Sequence, residues 1–494
     1  MKLAILIGYF AVLAAVALLV RQKSEDASSF LAADRGVGSW MSALVFGTTY
    51  FSAVIFVGYA GKVGWGFGLS ALWVVVGNAL LGAFLCWRVL ARRTWVMTSA
   101  LGVLTLPQFL RRRYESPALG LAAAIVVFVF LIPYSASVFM GLSYLFEQIM
   151  GIPYVVAIVL MAVITAGYMA AGGYLAVSLA NAIQAAVMVV GCALLVGRCL
   201  ADPAVGGVVT GMQRLAAIDP RLVAPVGPGG LLPLLSLVLI TSLGPWGMPQ
   251  MILPFCACRN PRSIAQATVI CTVFCLLIGF SAYFTGAFSR LFFESMPAVG
   301  GKPAADLIMP LIIDRILPGA GGALIVVLVL AASMSTLATL VLVSSSAIAM
   351  DIVEVYWPEK VKGKRGVFLM RFLCVLFVGV SLVIAITRPA IILSLMALSW
   401  GAVAGFFMAS YLYGLYWPRA TRAGAWAASL TGITLAVGLS LYFRLDPGVV
   451  PLAGVAGILA PLLILPVVSW LSKPCADAQQ IFARAASYGE GAGS

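Results

Sequence analysis

The sequence has no histidine, and only 16 of its 494 residues are aspartate or glutamate. Each shortage removes a class of chemistry. Without imidazole there is neither a His-centred metal site nor the usual base for a serine or cysteine nucleophile. An enzyme would be left with a Ser–Lys pairing, and the sequence offers none. The carboxylates also avoid the middle of the long apolar stretches, with Glu147 and Asp351 nearest, at stretch ends. Proton-coupled machines ordinarily carry an Asp, Glu or His inside the membrane, so no proton relay is legible. Nine cysteines are present, most of them (Cys86, Cys192, Cys271, Cys275, Cys374) within apolar runs, where the thiol acts as a small hydrophobe. Cys256 and Cys258 form a C-x-C, but no second pair completes a metal set.

What is abundant is hydrocarbon. The chain is 63% hydrophobic and 9% charged, against about 25% charged in soluble domains, which makes it an integral membrane protein. Thirteen uncharged runs of spanning length occupy residues 3–20, 40–60, 68–90, 118–146, 153–171, 175–197, 231–253, 264–288, 318–349, 367–387, 389–416, 423–442 and 450–471. The first is expected to be a retained helix, because no small-residue cleavage site follows it. The boundary at "AAGGYLA" (170–176) is the least secure, since almost nothing joins the two runs. No soluble domain is expected, and the tail after Leu471 should loosen toward its small-residue end.

A net charge of +14 would suggest nucleic acid in a soluble protein; here topology explains it. With the N-terminus outside and the C-terminus in the cytoplasm, 20 of the 30 Lys and Arg residues fall on the inner side. Arg21, Lys23 and Arg35, six residues over 88–113, and five over 360–371 contribute most. This implies a plasma or inner membrane location, with anionic lipid headgroups as partners and no nucleic acid. A nucleotide or regulatory site in "VLARRTW" and "FLRRRYES" is the competing reading.

Two spans carry interruptions. The seventh contains "TSLGPWGMPQ", with Gly244, Pro245, Gly247 and Pro249, where a continuous helix is expensive. The second contains "FGTTYFSAVIFVGYAGKVGWGFG", with Gly47 beside Thr48, Thr49 and Ser52. Discontinuous helices at corresponding places in two halves point to a transporter's binding site, although plain kinks would produce the same pattern. In the ninth span, Ala332, Ser335, Thr336 and Thr339 recur at i, i+3, i+4 and i+7, on one helix face. Hydroxyls beside freed carbonyls make a neutral oxygen cage suited to a monovalent cation. The plainer alternative is back-bonding to carbonyls one turn earlier.

These motifs resemble the sodium/solute symporter family. "AASMSTLATLVLVSSSAIAMD", "SSFLAADRGVGSW", "TLPQFLRRRYES", "GGYLAVSLANAIQ", "GMPQMILPF" and "LYWPRATRAGA" carry the likeness. The resemblance implies an all-α LeuT-type fold of about thirteen helices. It would comprise an extra N-terminal helix and linker (1–39), two five-helix inverted repeats (40–200 and 231–416), two further helices (417–471) and a tail (472–494). It also implies one coupling Na+ held by backbone carbonyls of Thr48 and Phe51 with Ala332, Ser335 and Thr336, and no organic cofactor. One departure stands out: the family commonly has Thr-Asp where this chain has Ala180 and Asn181. A single neutral Na+ site follows, with an uncoupled facilitator as the competing idea.

The solute is less defined. Family sugar carriers place Gln and Glu where this chain has Ile55 and Val75, so sugar hydroxyls would be left unpaired at about 1–3 kcal/mol each. "TTYFSAV", "GIPY" and "AAIDPRLVAPVG" resemble the pantothenate and monocarboxylate carriers, favouring a small carboxylate or vitamin-like acid; a proline-like amino acid is the alternative. Candidate lining residues are Tyr50, Ser52, Ile55, Phe56, Asn78, Tyr134, Ser135, Ser137, Ser242, Trp246 and Gln250, each of which core packing would also explain. Lys62 either steers an anion at the outer mouth or snorkels.

Overall fold

A computed structural model describes residues 2–20, 38–259, 262–299, 302–361 and 363–491. Arg21, Lys23, Arg35 and most of "SSFLAADRGVGSW" lie outside the described residues. The described residues are mostly helical, and the strand pair among them is Ala298–Val299 with Lys302–Pro303. The helices are α1 (Lys2–Val20), α2 (Ser39–Tyr50), α3 (54–67), α4 (72–101), α5 (Leu106–Arg113), α6 (Pro117–Met150), α7 (Tyr154–Ala201) and α8 (Val208–Ile218). They continue as α9 (Leu231–Leu243), α10 (Pro249–Ala257), α11 (Arg262–Ala287), α12 (Ile308–Ile316), α13 (Ala320–Ile348, helical on to Tyr356) and α14 (Gly363–Thr387). Last come α15 (Ile392–Tyr416), α16 (422–442), α17 (Val450–Trp470) and α18 (Ala478–Gly491).

Both expected interruptions are present. Phe51 leaves the helix with φ −112° and ψ 133°, separating α2 from α3, and α3 restarts as a π-helical turn over Val54–Tyr59. No proline forces this break. Instead, side-chain oxygens take up the amides just past it: Ser52 Oγ accepts from Val54 N and Ser333 Oγ from Ala53 N. Between α9 and α10 the chain narrows to a 3₁₀ turn, Gly244–Trp246, and bends by 40°. At Gly68 (φ +59°) α3 turns into the segment leading to α4; a Cβ there would lie 2.2 Å from the Leu222 carbonyl oxygen, so glycine is required.

The fifth and sixth expected spans are one unbroken helical run of 48 residues in α7. At 1.5 Å per residue it is about 72 Å long, more than twice the hydrocarbon thickness. Arg198 donates to Ile316 O at the end of α12. The Tyr154 hydroxyl donates to Ala385 O, beside the Ile392 N–H that Asp306 accepts. Within this run the described apolar stretches are Tyr154–Gly167 and Val177–Ala201. Length and apolarity alone give nine crossing helices among the described residues, or ten with the bent α9–α10 pair. Thirteen would need α1, the second span formed by α2 and α3, and the first arm of α7 as well.

α13 and α15 form the centre: 94% of the apolar stretch of each is buried, against 39% in α14 and α16. The tail is helical as far as Gly491, and the end of its small-residue tip lies outside the described residues. Ala478, Ile481, Phe482 and Ala485 recur at i, i+3, i+4 and i+7, and α18 lays this face on the end of α4. The Phe482 ring covers the guanidinium groups of Arg93 and Arg113 at 5.2 and 5.3 Å. Arg113 is fully buried and donates to Gly414 O, Trp417 O and Pro418 O.

Candidate ion and solute site

The break after α2 lies against α13. Ser335 Oγ is 3.0 Å from Thr48 O and 2.8 Å from Ala332 O. Thr336 Oγ1 lies 3.1 Å from Thr49 O, 3.3 Å from Phe51 O and 3.1 Å from Ala332 O. The five residues named from the sequence, Thr48, Phe51, Ala332, Ser335 and Thr336, thus meet at one point and are fully buried. Two hydroxyl protons face four carbonyl oxygens there. Acceptors outnumber donors, and a bound cation would satisfy the surplus lone pairs. The donor set is neutral oxygen throughout, which fits Na+ rather than a soft transition metal.

Two neighbouring contacts hold the unwound segment open. Ser333 Oγ accepts from Ala53 N at 2.9 Å, serving an amide that the break frees. Thr49 Oγ1 pairs with Thr339 Oγ1 at 3.0 Å. Ser333 was missed by the sequence reading, although its position three residues before Thr336 was an available signal. Asn181, at the family's usual Asp position, is buried with neither amide atom partnered. Among the described residues, no group of three or more Cys, Asp or Glu side chains could hold a metal.

The candidate solute residues divide. Tyr50 stacks on Trp400 at 6.1 Å, and Tyr134 meets the same indole edge-on at 5.7 Å. The Tyr134 hydroxyl sits beside the Ser52 hydroxyl. Tyr50 OH donates to Thr241 O, next to Ser242, whose hydroxyl lies 3.3 Å from Asn78 Oδ1. These residues form one continuous wall reaching from the ion-side break to the α9–α10 break. Asn78 Nδ2, Ser135 Oγ and Gln250 Oε1 are buried without partners. Others are occupied locally: Ser137 donates to Tyr134 O within α6, and Trp246 Nε1 to Leu81 O. Ile55 and Phe56 are buried in the π-helical turn. Trp400 was missed; an aromatic in mid-span followed by Gly401 and Ala402 was its only sequence trace. Gly244 packs on it, where a Cβ would come within 2.3 Å.

Two polar contacts tie neighbouring elements together at opposite ends. Thr105 Oγ1 donates to Asp351 Oδ1 at 2.6 Å, tying the α4–α5 connection to the end of α13. At the other end, buried Asp306 accepts from Ile392 N at 3.3 Å, tying the loop before α12 to the start of α15. Burial raises the Asp306 carboxyl to about 6, with the Ile392 N–H and the Lys62 charge opposing. Lys62 therefore lies at that contact.

Relatives of known activity align along most of the chain. It is 26% identical to the osmoregulated proline transporter OpuE of Bacillus subtilis (strain 168), over 92% of this chain and 93% of the relative. It is 28% identical to the sodium/proline symporter of Escherichia coli (strain K12), over 84% and 83%. Identity to the sodium/pantothenate symporter of the same organism is 26%, over 86% and 88%. Among solved structures, a Na+-coupled sialic acid symporter in a substrate-bound outward-open state superposes with TM-score 0.76 at 17% identity, covering 96% of this chain and 98% of that one. The nucleobase-cation-symport-1 transporter Mhp1, closed on bromovinylhydantoin, gives 0.52 at 16%, covering 94% and 99%. At such identities these two establish the LeuT-type fold and no more. With a family match running from residue 30 to residue 432, the chain belongs to the sodium:solute symporter family, and is a membrane transporter rather than an enzyme.

Proposed function

We propose that this protein couples one Na+, bound by Thr48 O, Phe51 O, Ala332 O, Ser335 Oγ and Thr336 Oγ1, to the uptake of a small carboxylate-bearing solute. The observation that carries the ion is the convergence of two hydroxyls on more carbonyls than they can serve. The solute would lie beside it, against Tyr50, Ser52, Tyr134 and Trp400. Because Phe51 and Ser52 belong to the same unwound segment, filling the ion site fixes the wall that the solute meets, which is the physical content of coupling.

Two solute classes suit this neutral, aromatic wall: a proline-like amino acid and a vitamin-like acid such as pantothenate. Both are compact and carry one carboxylate, and the relatives named above include transporters of each. Sugar is disfavoured, since Ile55 and Val75 offer no partner for its hydroxyls. The N-terminus is assigned to the outside and the tail to the cytoplasm, in a cell membrane.

Proteoliposome uptake of radiolabelled proline and pantothenate, with and without an inward Na+ gradient, tests the reading. Na+-stimulated accumulation of either supports it. Equal entry with and without the gradient would make the protein an uncoupled facilitator.

A further inference from the structure

The basic residues of the chain are used in two different ways. Arg93, Arg113 and Arg422 donate to backbone carbonyls and are spent within the protein. Lys364 and Arg365, at the start of α14, make no hydrogen bond or ion pair among the described residues. They open instead, with Lys360, onto a groove of about 600 Å³ between the end of α13 and α14.

The floor of the groove is apolar. Arg365, Phe368, Leu369 and Phe372 lie at i, i+3, i+4 and i+7, so one face of α14 runs from a cation into hydrocarbon. From Lys364 to Phe372 that face descends about 12 Å along the helix, the depth over which headgroup gives way to acyl chain. Phe368 is 73% exposed and Phe372 56%, facing outward where lipid lies. At the charged end Trp357, a residue type favoured at membrane interfaces, holds Lys360 Nζ at 5.3 Å from its ring. Glu354 and Glu359 belong to the same connector but do not line the groove.

We propose that this groove is a binding site for an anionic phospholipid, its phosphate-bearing headgroup among Lys360, Lys364 and Arg365 and one acyl chain along Leu369 and Phe372. An apolar floor alone would accept any lipid; three convergent cations without a lining carboxylate select a negative headgroup.

Native mass spectrometry of the purified protein, titrated in mixed micelles with phosphatidylglycerol or phosphatidylcholine, tests this. The wild type should retain phosphatidylglycerol at about tenfold lower concentration than phosphatidylcholine. The triple variant K360Q/K364Q/R365Q should lose that preference, and R365Q alone, should the triple fail to fold, should weaken it. Leu369→Trp, which fills the groove without changing charge, should lower phosphatidylglycerol retention as well. Equal retention of both lipids by the wild type overturns the proposal. So does a Leu369→Trp protein that keeps full preference, which would mean diffuse attraction to charge. Displacement by millimolar inorganic phosphate would mark a small-anion site and overturn the lipid assignment.

Discussion

At the scale of single residues, the proposed ion site makes the sharpest demand. Ser335 and Thr336 each bring a hydroxyl to within 3.3 Å of backbone carbonyls from the broken helix. Losing one such oxygen from a cation costs about 1.5–3 kcal/mol, so Ser335→Ala or Thr336→Ala should raise half-saturating Na+ for uptake by about tenfold or more. Thr336→Ser keeps the oxygen and should stay near wild type. Persistent Na+ stimulation in the double alanine variant would remove these residues from the site. Asp306 makes a separate demand, on pH. Its carboxyl titrates near 6, above the value of about 3.9 expected in an unfolded chain. A raised acid favours the folded state most below both values and loses that advantage as pH rises through 6, a change of about 3 kcal/mol. Unfolding of wild type measured against Asp306→Asn should therefore show the difference moving against wild type between pH 4 and 7. A constant difference would mean the group titrates normally.

At the scale of elements, the broken helices were legible because local chemistry dictates them. Gly244, Pro245 and Gly247 interrupt the regular helix, and Ser52 supplies a competing partner for the Val54 amide. The hydroxyl-bearing stripe of α13 that meets the broken helix was legible for the same reason: periodicity is local. Trp400 was not, because its role comes from α15 meeting α2 and α6, which no local pattern encodes. The docking of α18 was overlooked rather than hidden, since its apolar spacing is plain and only the small residues at its end argued otherwise. Close helix contact is likewise tertiary. α3 and α11 touch backbone to backbone: a Cβ on Gly286 would sit 2.0 Å from Ala60 O, and one on Gly64 2.0 Å from Gly286 O. Gly286→Ala must push the two helices apart, at about 1–3 kcal/mol or more. It should lower the melting temperature and reduce uptake, because α3 is continuous with the unwound segment. Gly379→Ala, in α14 with nothing within 4 Å of the new methyl, should leave both unchanged. A Gly286→Ala protein with wild-type melting would show that the contact is loose.

For the molecule as a whole, charge and geometry agree on which loops share a side. Trp95 donates to Cys258 O, Thr105 to Asp351, Arg422 to Tyr114 O, and Asp477 N to Glu115, gathering the basic stretches around 88–113, 259, 360–371 and 419–422 with the tail at one end. The other end collects Arg198 with Ile316 O, Arg290 with Trp65 O, and Arg388 over Tyr154. If the richer basic end is cytoplasmic, the tail is inside, and the protein carries its own probe of this. Eight of its nine cysteines are buried, and only Cys475, just ahead of α18, is partly open. Burial and the nearby Glu115 raise its thiol while Arg113 and Arg422 oppose, so labelling is best done at mildly alkaline pH. A membrane-impermeant maleimide should modify Cys475 in inside-out vesicles and spare it in right-side-out vesicles, with Cys475→Ser as the blank. Modification only in right-side-out vesicles would invert the topology.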